Sequence, residues 1–217
     1  MEASDKGMDK SSIIKEFDGL KYTEDIGRFL ESQDIMFEVI DGLVCIKSKP
    51  VEHDMAKNIL NSLILKELSI KGLDCESLIE SRHLRGDQFA EDFLIPDICV
   101  INLDDSRYGP NGMLVGIPKL VVEVLSSNRN DDLYKKRLIY QEMKVPEYWI
   151  VDLDGYSIMQ LILEDDKYNK RPITFLGGKI RHHICGLEVD VDELFSLLKK
   201  KLDRLKRSST GTTSMFS

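Results

Sequence analysis

Residues 119–125 read Lys-Leu-Val-Val-Glu-Val-Leu, and few structures accommodate that order. Five of the seven side chains are apolar, with no polar alternation, which describes a strand covered on both faces. Glu123 sits in the middle of the run. An ionised carboxylate is rarely buried without a partner, because desolvation either costs several kcal/mol or shifts its pKa. Whatever fold the chain adopts must therefore bring a compensating group to Glu123.

The chain has 217 residues, enough for one full hydrophobic core and short for two. Its 42% hydrophobic and 31% charged content suits a globular protein. The expected layout is a flexible N-terminus over 1–20, a single domain over 21–206 and a disordered, polar tail over 207–217. No window approaches the ~18 continuous apolar residues of a membrane span. The opening "MEASDKGMDKSSIIKEF" lacks the apolar core of a secretory signal, so a cytoplasmic location is expected.

Cys45, Cys75, Cys99 and Cys185 form no Cys-x-x-Cys pair, and the first three lie in apolar, strand-like runs. They read as reduced, mostly buried thiols rather than a zinc site or disulfide framework. The formal net charge of −8 argues against nucleic-acid binding through global charge but leaves room for a local basic surface. The run "KKKLDRLKR" (199–207) reads as a solvated helix face.

Thr23 is placed to cap a short helix over 24–31. Asp41-Gly42 joins two apolar runs as a two-residue hairpin turn does. Met55, Ala56, Ile59, Leu60, Leu63, Ile64 and Leu68 recur at helical spacing over 52–71, which Gly72 ends. Strands are expected at 74–80, 95–102, 119–125, 147–153, 156–164 and 171–176. Helices are expected at 131–144 and 191–206. This order predicts an α/β or α+β fold with a central mixed sheet flanked by helices, an N-terminal hairpin and a C-terminal helix.

Two further polar residues break their surroundings as Glu123 does. Asp97 opens an apolar strand directly after Pro96. Lys136 shares a helical face with Leu133, Tyr140 and Met143, so it is aimed between apolar neighbours. Separately, Asp97 could be a strand-end aspartate, Lys136 a snorkelling lysine and Glu123 half of a structural ion pair. One site explains all three. Two carboxylates on neighbouring strands with an ammonium from a helix offer hard oxygen ligands suited to Mg²⁺ or Mn²⁺. The lysine is then placed to assist phosphodiester hydrolysis by orienting water or stabilising charge on the phosphate.

"PD" (96–97), then "EVL" (123–125) and a nearby lysine, resemble the PD-(D/E)xK nuclease superfamily, although Leu125 stands where that motif places its lysine. "IPDICVI", "PKLVVEVLSS", the series Asp132, Lys136 and Tyr140, and "KVPEYWIVDL" are similar to the Uma-two family of restriction-endonuclease-like proteins over roughly residues 35–165. That resemblance implies a restriction-endonuclease-like core with the lysine moved onto the helix. Asp97, Glu123 and the main-chain carbonyl of Val124 would be metal ligands, with Asp97, Glu123 and Lys136 the catalytic set. His53, at the start of the 52–71 helix, matches a histidine often found there, though a hydrogen-bonding core role weighs more. Tyr140 and Asp132 are candidates to support these groups from behind, Asp132 also as a helix-start acid or a partner for Lys136. The "EYW" triplet (147–149) is expected to serve packing.

The function implied is a Mg²⁺-dependent endonuclease hydrolysing DNA, with Lys119, Arg129, Lys135, Arg137 and Lys144 available to contact phosphates. A catalytically inactive nuclease-fold module binding nucleic acid or a protein partner is the alternative. A homodimer suits cleavage of both strands, with hairpin 35–48 or strands 156–176 as candidate edges. Whether a third carboxylate, such as Glu76 or Glu80, completes the metal shell stays open.

Overall fold

Asp41 and Gly42 both take positive φ, 55° and 73°, the conformation of a type I′ turn. They close a hairpin whose register pairs Ile40 with Leu43 and Phe37 with Ile46. The computed structural model describes residues 9–47, 50–81, 83–84, 93–109, 113–125, 129–183 and 185–210, for 83–84, 108, 129–134 and 208–210 the main chain alone.

In chain order the elements begin with α1 (Lys10–Phe17), α2 (Glu24–Ser32), β1 (Phe37–Ile40) and β2 (Leu43–Ile46). Next come α3 (Val51–Lys71), β3 (Glu76–Ile79), β4 (His83–Leu84), β5 (Phe93–Leu94) and β6 (Ile98–Ile101). β7 (Arg107–Tyr108), β8 (Leu114–Val115), β9 (Leu120–Val124), α4 (Arg129–Glu142), β10 (Glu147–Asp152) and β11 (Ser157–Glu164) follow. The chain ends with β12 (Lys167–Lys170), β13 (Thr174–Phe175), β14 (Lys179–Arg181), β15 (Glu188–Asp190) and α5 (Val191–Thr210).

These elements form two compact units, Met1–Ser48 with Arg82–Ile95 and Lys49–Ser81 with Pro96–Ser217, where the sequence predicts one domain over 21–206. In the first unit, Thr23 accepts from the Ile26 N–H and starts α2. β5 pairs with β1 and with β4, and the rings of Phe37 and Phe93 meet edge-on at 5.4 Å. α1 lies within the stretch expected to be flexible. Asp9 caps it, Ile13 is its one buried side chain and the Phe17 ring meets Phe29 of α2 at 5.0 Å, too few inward residues to show a helical period in the sequence.

The second unit is built on a seven-stranded mixed sheet ordered β12-β11-β10-β9-β6-β3, with β13 also pairing β11. β9 and β10 run parallel, and the other neighbours are antiparallel. β9 is central and all five of its residues are buried, as the unbroken apolar run requires. Period two then divides its side chains. Leu120, Val122 and Val124 join Trp149 and Val151 in the core that α3 and α5 cover. Val121 and Glu123 point the other way, beside Tyr148 and Ile150 of β10, whose Tyr148 ring lies 5.2 Å from Tyr140 of α4.

Gly72 ends α3 at φ 59°, ψ 36°, a left-handed cap that glycine takes without steric cost. The expected strand over 171–176 is displaced. β12 lies before it and β13 is only two residues, because "KYNK" turns just Tyr168 inward and shows no alternation. α5 extends to Thr210, into the expected tail, and residues 211–217 lie outside those described.

Candidate active site

The register pairs Ile98 with Val122, so the next residues along, Asp97 and Glu123, face each other across the β6–β9 ladder. Asp97 is fully buried and Glu123 is 7% exposed, so both need strong compensation. α4 supplies it to Glu123. Lys136, 6% exposed, donates from Nζ to Glu123 Oε1 at 2.9 Å, and the Tyr140 hydroxyl donates to the same oxygen at 2.8 Å. Lys136 and Tyr140 are one helical turn apart, which lets both reach one carboxylate oxygen.

Asp97 is held differently. Its Oδ2 accepts from the Val124 N–H at 2.8 Å and lies 3.0 Å from His53 Nε2. His53 Nε2 is also 2.9 Å from the Val124 carbonyl oxygen. Both facing atoms accept, so Nε2 carries the proton and shares it between them. His53 opens α3, on the helix layer opposite α4, and reaches the β6 and β9 ends from there. The structure thus brings Asp97, Glu123, Val124, Lys136, Tyr140 and His53 together in two linked clusters. Asp132 lies in the first turn of α4, with its side chain outside those described.

Sequence reasoning missed Lys57. One turn after His53, it is 4% exposed and donates to Glu80 at 2.5 Å and Asp54 at 3.0 Å. A lysine on the apolar face of α3 was the available signal, the same one that exposes Lys136. Of the candidate third carboxylates, Glu80 is thus tied to Lys57, while Glu76 is exposed and pairs with Ile101 at the far end of the β3–β6 ladder. Among the expected phosphate contacts, Lys119 pairs with Asp105, Lys144 with Asp166, and Arg137 donates to the Tyr168 carbonyl. Lys135 is exposed, and the Arg129 side chain lies outside those described.

Among the described residues no group of three or more His, Cys, Asp and Glu side chains is arranged to hold a metal ion. The oxygen donors nonetheless fit a hard cation. Asp97 Oδ2 and the Val124 carbonyl both come within 3.0 Å of one point, now the His53 nitrogen. Mg²⁺ commonly takes only one or two protein carboxylates.

A family model described as "Putative restriction endonuclease", Uma2, matches residues 23–191. The chain belongs to the Uma2 family. No curated protein matches it in sequence. Among solved structures it is similar to a putative nuclease of DUF820 from Anabaena variabilis ATCC 29413. The two share 19% identity with a TM-score of 0.65, over 82% of this chain and 99% of that one. At that identity the likeness establishes a shared fold. Every site residue named above lies within the Uma2 match. Among the described residues no helix is long and apolar enough to cross a membrane.

Proposed function

We propose that this Uma2 protein is a divalent-metal-dependent endonuclease that hydrolyses DNA phosphodiester bonds. The observation that carries the reading is the buried Glu123 carboxylate, gripped by Lys136 and Tyr140 directly across the strand ladder from Asp97. Asp97, Glu123 and the Val124 carbonyl would hold Mg²⁺ or Mn²⁺. Such an ion, when bound, polarises phosphate oxygens and lowers the pKa of coordinated water.

The chain's own residues do the positioning. Lys136 holds one Glu123 oxygen and sets a fixed positive charge where the phosphate would gain negative charge. Tyr140 fixes the same oxygen against rotation. His53 aligns the Asp97 carboxylate and the Val124 carbonyl toward a common point, the place a cation held by these oxygens would take. Action as a cytoplasmic homodimer, presenting two sites to two antiparallel strands, belongs to the same proposal.

The same contacts favour a second reading, an inactive nuclease-fold module that binds nucleic acid or a protein. In it the two clusters are a self-contained buried network, and the net charge of −8 fits weak engagement of nucleic acid. Calorimetric titration with Mn²⁺ separates the two. The nuclease reading expects binding by the wild type that Glu123→Gln abolishes while the variant stays folded. Binding by neither protein, together with a marked stability loss in Glu123→Gln, supports the inactive module instead.

A further inference from the structure

The hairpin β14–β15 carries a second titratable cluster that the nuclease reading does not use. His182 begins its turn and is buried, and Cys185 follows half-buried three residues later. The Cys185 Sγ lies 3.2 Å from His182 Nδ1. On the other side of the ring, Nε2 lies 3.1 Å from the Lys119 carbonyl and 3.7 Å from Glu147 Oε2. A carbonyl only accepts, so Nε2 bears hydrogen and Nδ1 turns its lone pair to the Cys185 residue, accepting from its main-chain N–H at 3.2 Å with the thiol at the same distance.

Glu147, fully buried on β10, is itself fixed. It accepts from the Trp149 indole, the Gln160 amide and the His183 N–H. The thiol thus meets one ring nitrogen while the Lys119 carbonyl holds the other and the Glu147 carboxylate stands nearby, as in activated cysteine sites where a third group orients the base. Cys185, His182, Arg181, His183 and Gly186 line an open pocket of about 320 Å³. Gly186 takes φ +66°, and a Cβ there would come within 3.1 Å of the Arg181 guanidinium, which therefore crosses the turn.

We propose that Cys185 is a modification site for hydroperoxides, reacting as a thiolate paired with the His182 imidazolium at this pocket. The polar, solvent-open walls suit a small polar electrophile. A hydroperoxide also needs the two things the pair offers, an anionic sulfur and a proton for the leaving group. In the step, sulfur attacks one peroxide oxygen, an S–O bond forms and the O–O bond breaks. Sulfur loses two electrons to the peroxide, and the leaving hydroxide takes the imidazolium proton as water. The product is a sulfenic acid on Cys185 beside a neutral imidazole.

The titration behaviour agrees. Burial alone would raise the Cys185 thiol, but the hydrogen bond from His182 and the Leu187 N–H outweigh it and hold the thiol below its ordinary value. Burial alone would lower His182, but the contact with Cys185 and the Glu147 charge leave it raised. Cys99 and Cys75 go the opposite way. Burial pushes Cys99 up to about 11, and burial, with the neighbouring Cys185 next in weight, raises Cys75. Among the described residues, the titratable or charged groups around the pair include Glu147, Arg181, His183, Lys119 and Cys75.

The test exposes the full chain to limiting hydrogen peroxide with a dimedone-type sulfenic acid trap, and maps all four cysteines by peptide mass spectrometry. Cys185 is expected to be trapped first, ahead of Cys75 and Cys99, because the thiolate is the reacting form. His182→Asn is expected to remove that lead. A measurement on the wild type alone guards against a misfolded variant: iodoacetamide labelling of Cys185 against pH, with a midpoint expected below the ordinary thiol value of about 8.5. A midpoint at or above that value, or Cys185 trailing Cys75 or Cys99, overturns the proposal. Neither result bears on the nuclease site.

Discussion

His53 Nε2 lies 3.0 Å from Asp97 Oδ2, and the same nitrogen reaches the Val124 carbonyl at 2.9 Å. Two oxygens proposed as metal ligands thus already converge, with an imidazole N–H at the point of convergence. This arrangement gives the site a specific liability. Removing the imidazole leaves a buried carboxylate with one fewer donor, at a cost of about 1–3 kcal/mol.

His53→Ala should therefore lower the melting temperature of the metal-free protein. Saturating Mn²⁺ should restore more stability to the variant than it adds to the wild type, because no imidazole has to be displaced. Thermal melts with and without Mn²⁺ check this. Equal and negligible Mn²⁺ effects on both proteins would mean that the oxygens hold no cation.

Lys136 and Tyr140 share one acceptor, yet their loss should differ in size. Lys136→Met strands Glu123 as a buried charge without its cation and should cost about 3–5 kcal/mol. Tyr140→Phe removes one hydrogen bond to a charged group and should cost about 1.5–3 kcal/mol. On catalysis, the tyrosine variant should lose about 10–100-fold, as for other groups that orient a ligand. Urea denaturation and cleavage rates on the same preparations would show whether that ranking holds.

Trp149 is fully buried in the α3–α5 core and donates its indole N–H to Glu147. Trp149→Phe leaves both a cavity and a buried carboxylate short of a donor. A loss of about 2–4 kcal/mol follows, read as a lower urea midpoint at unchanged slope.

Asp9 gives a pH dependence with a definite sign. Its side chain caps α1 through the Ser12 N–H at 3.0 Å, and this bond, with the Ser12 hydroxyl next, holds the carboxyl below the ordinary 3.8. A group depressed on folding stabilises above its unfolded pKa and loses that contribution as pH falls through its folded value. Asp9→Ala should therefore weaken hydrogen-exchange protection in α1 at neutral pH, and match the wild type once pH drops below the folded value. A difference that persists unchanged in strong acid would contradict the capping role.

Much of this architecture was legible because single residues carried the signal. Glu123 in an apolar run marked the central strand. Asp41-Gly42 marked a turn whose two positive φ angles only certain residues accept, and Gly72 marked a helix end. Lys136 was legible because a helix has one apolar face and the lysine lies on it. Elements whose inward residues are too few to show a period were not legible. β14 and β15 each turn one buried apolar residue inward, Ile180 and Val189, so the hairpin carrying His182 and Cys185 went unseen. The meeting of His53 with Asp97 joins residues from α3 and the start of β6, and no local pattern encodes such a contact. The return of Arg82–Ile95 to the first unit is likewise a tertiary event.

The central claim is that Glu123 is buried to serve phosphodiester cleavage. Nicking of supercoiled plasmid in Mg²⁺ and in Mn²⁺, wild type beside folded Glu123→Gln, tests it most directly. The account predicts metal-dependent cutting by the wild type and a loss of about 100-fold or more in the variant. Equal cutting by both proteins would contradict it.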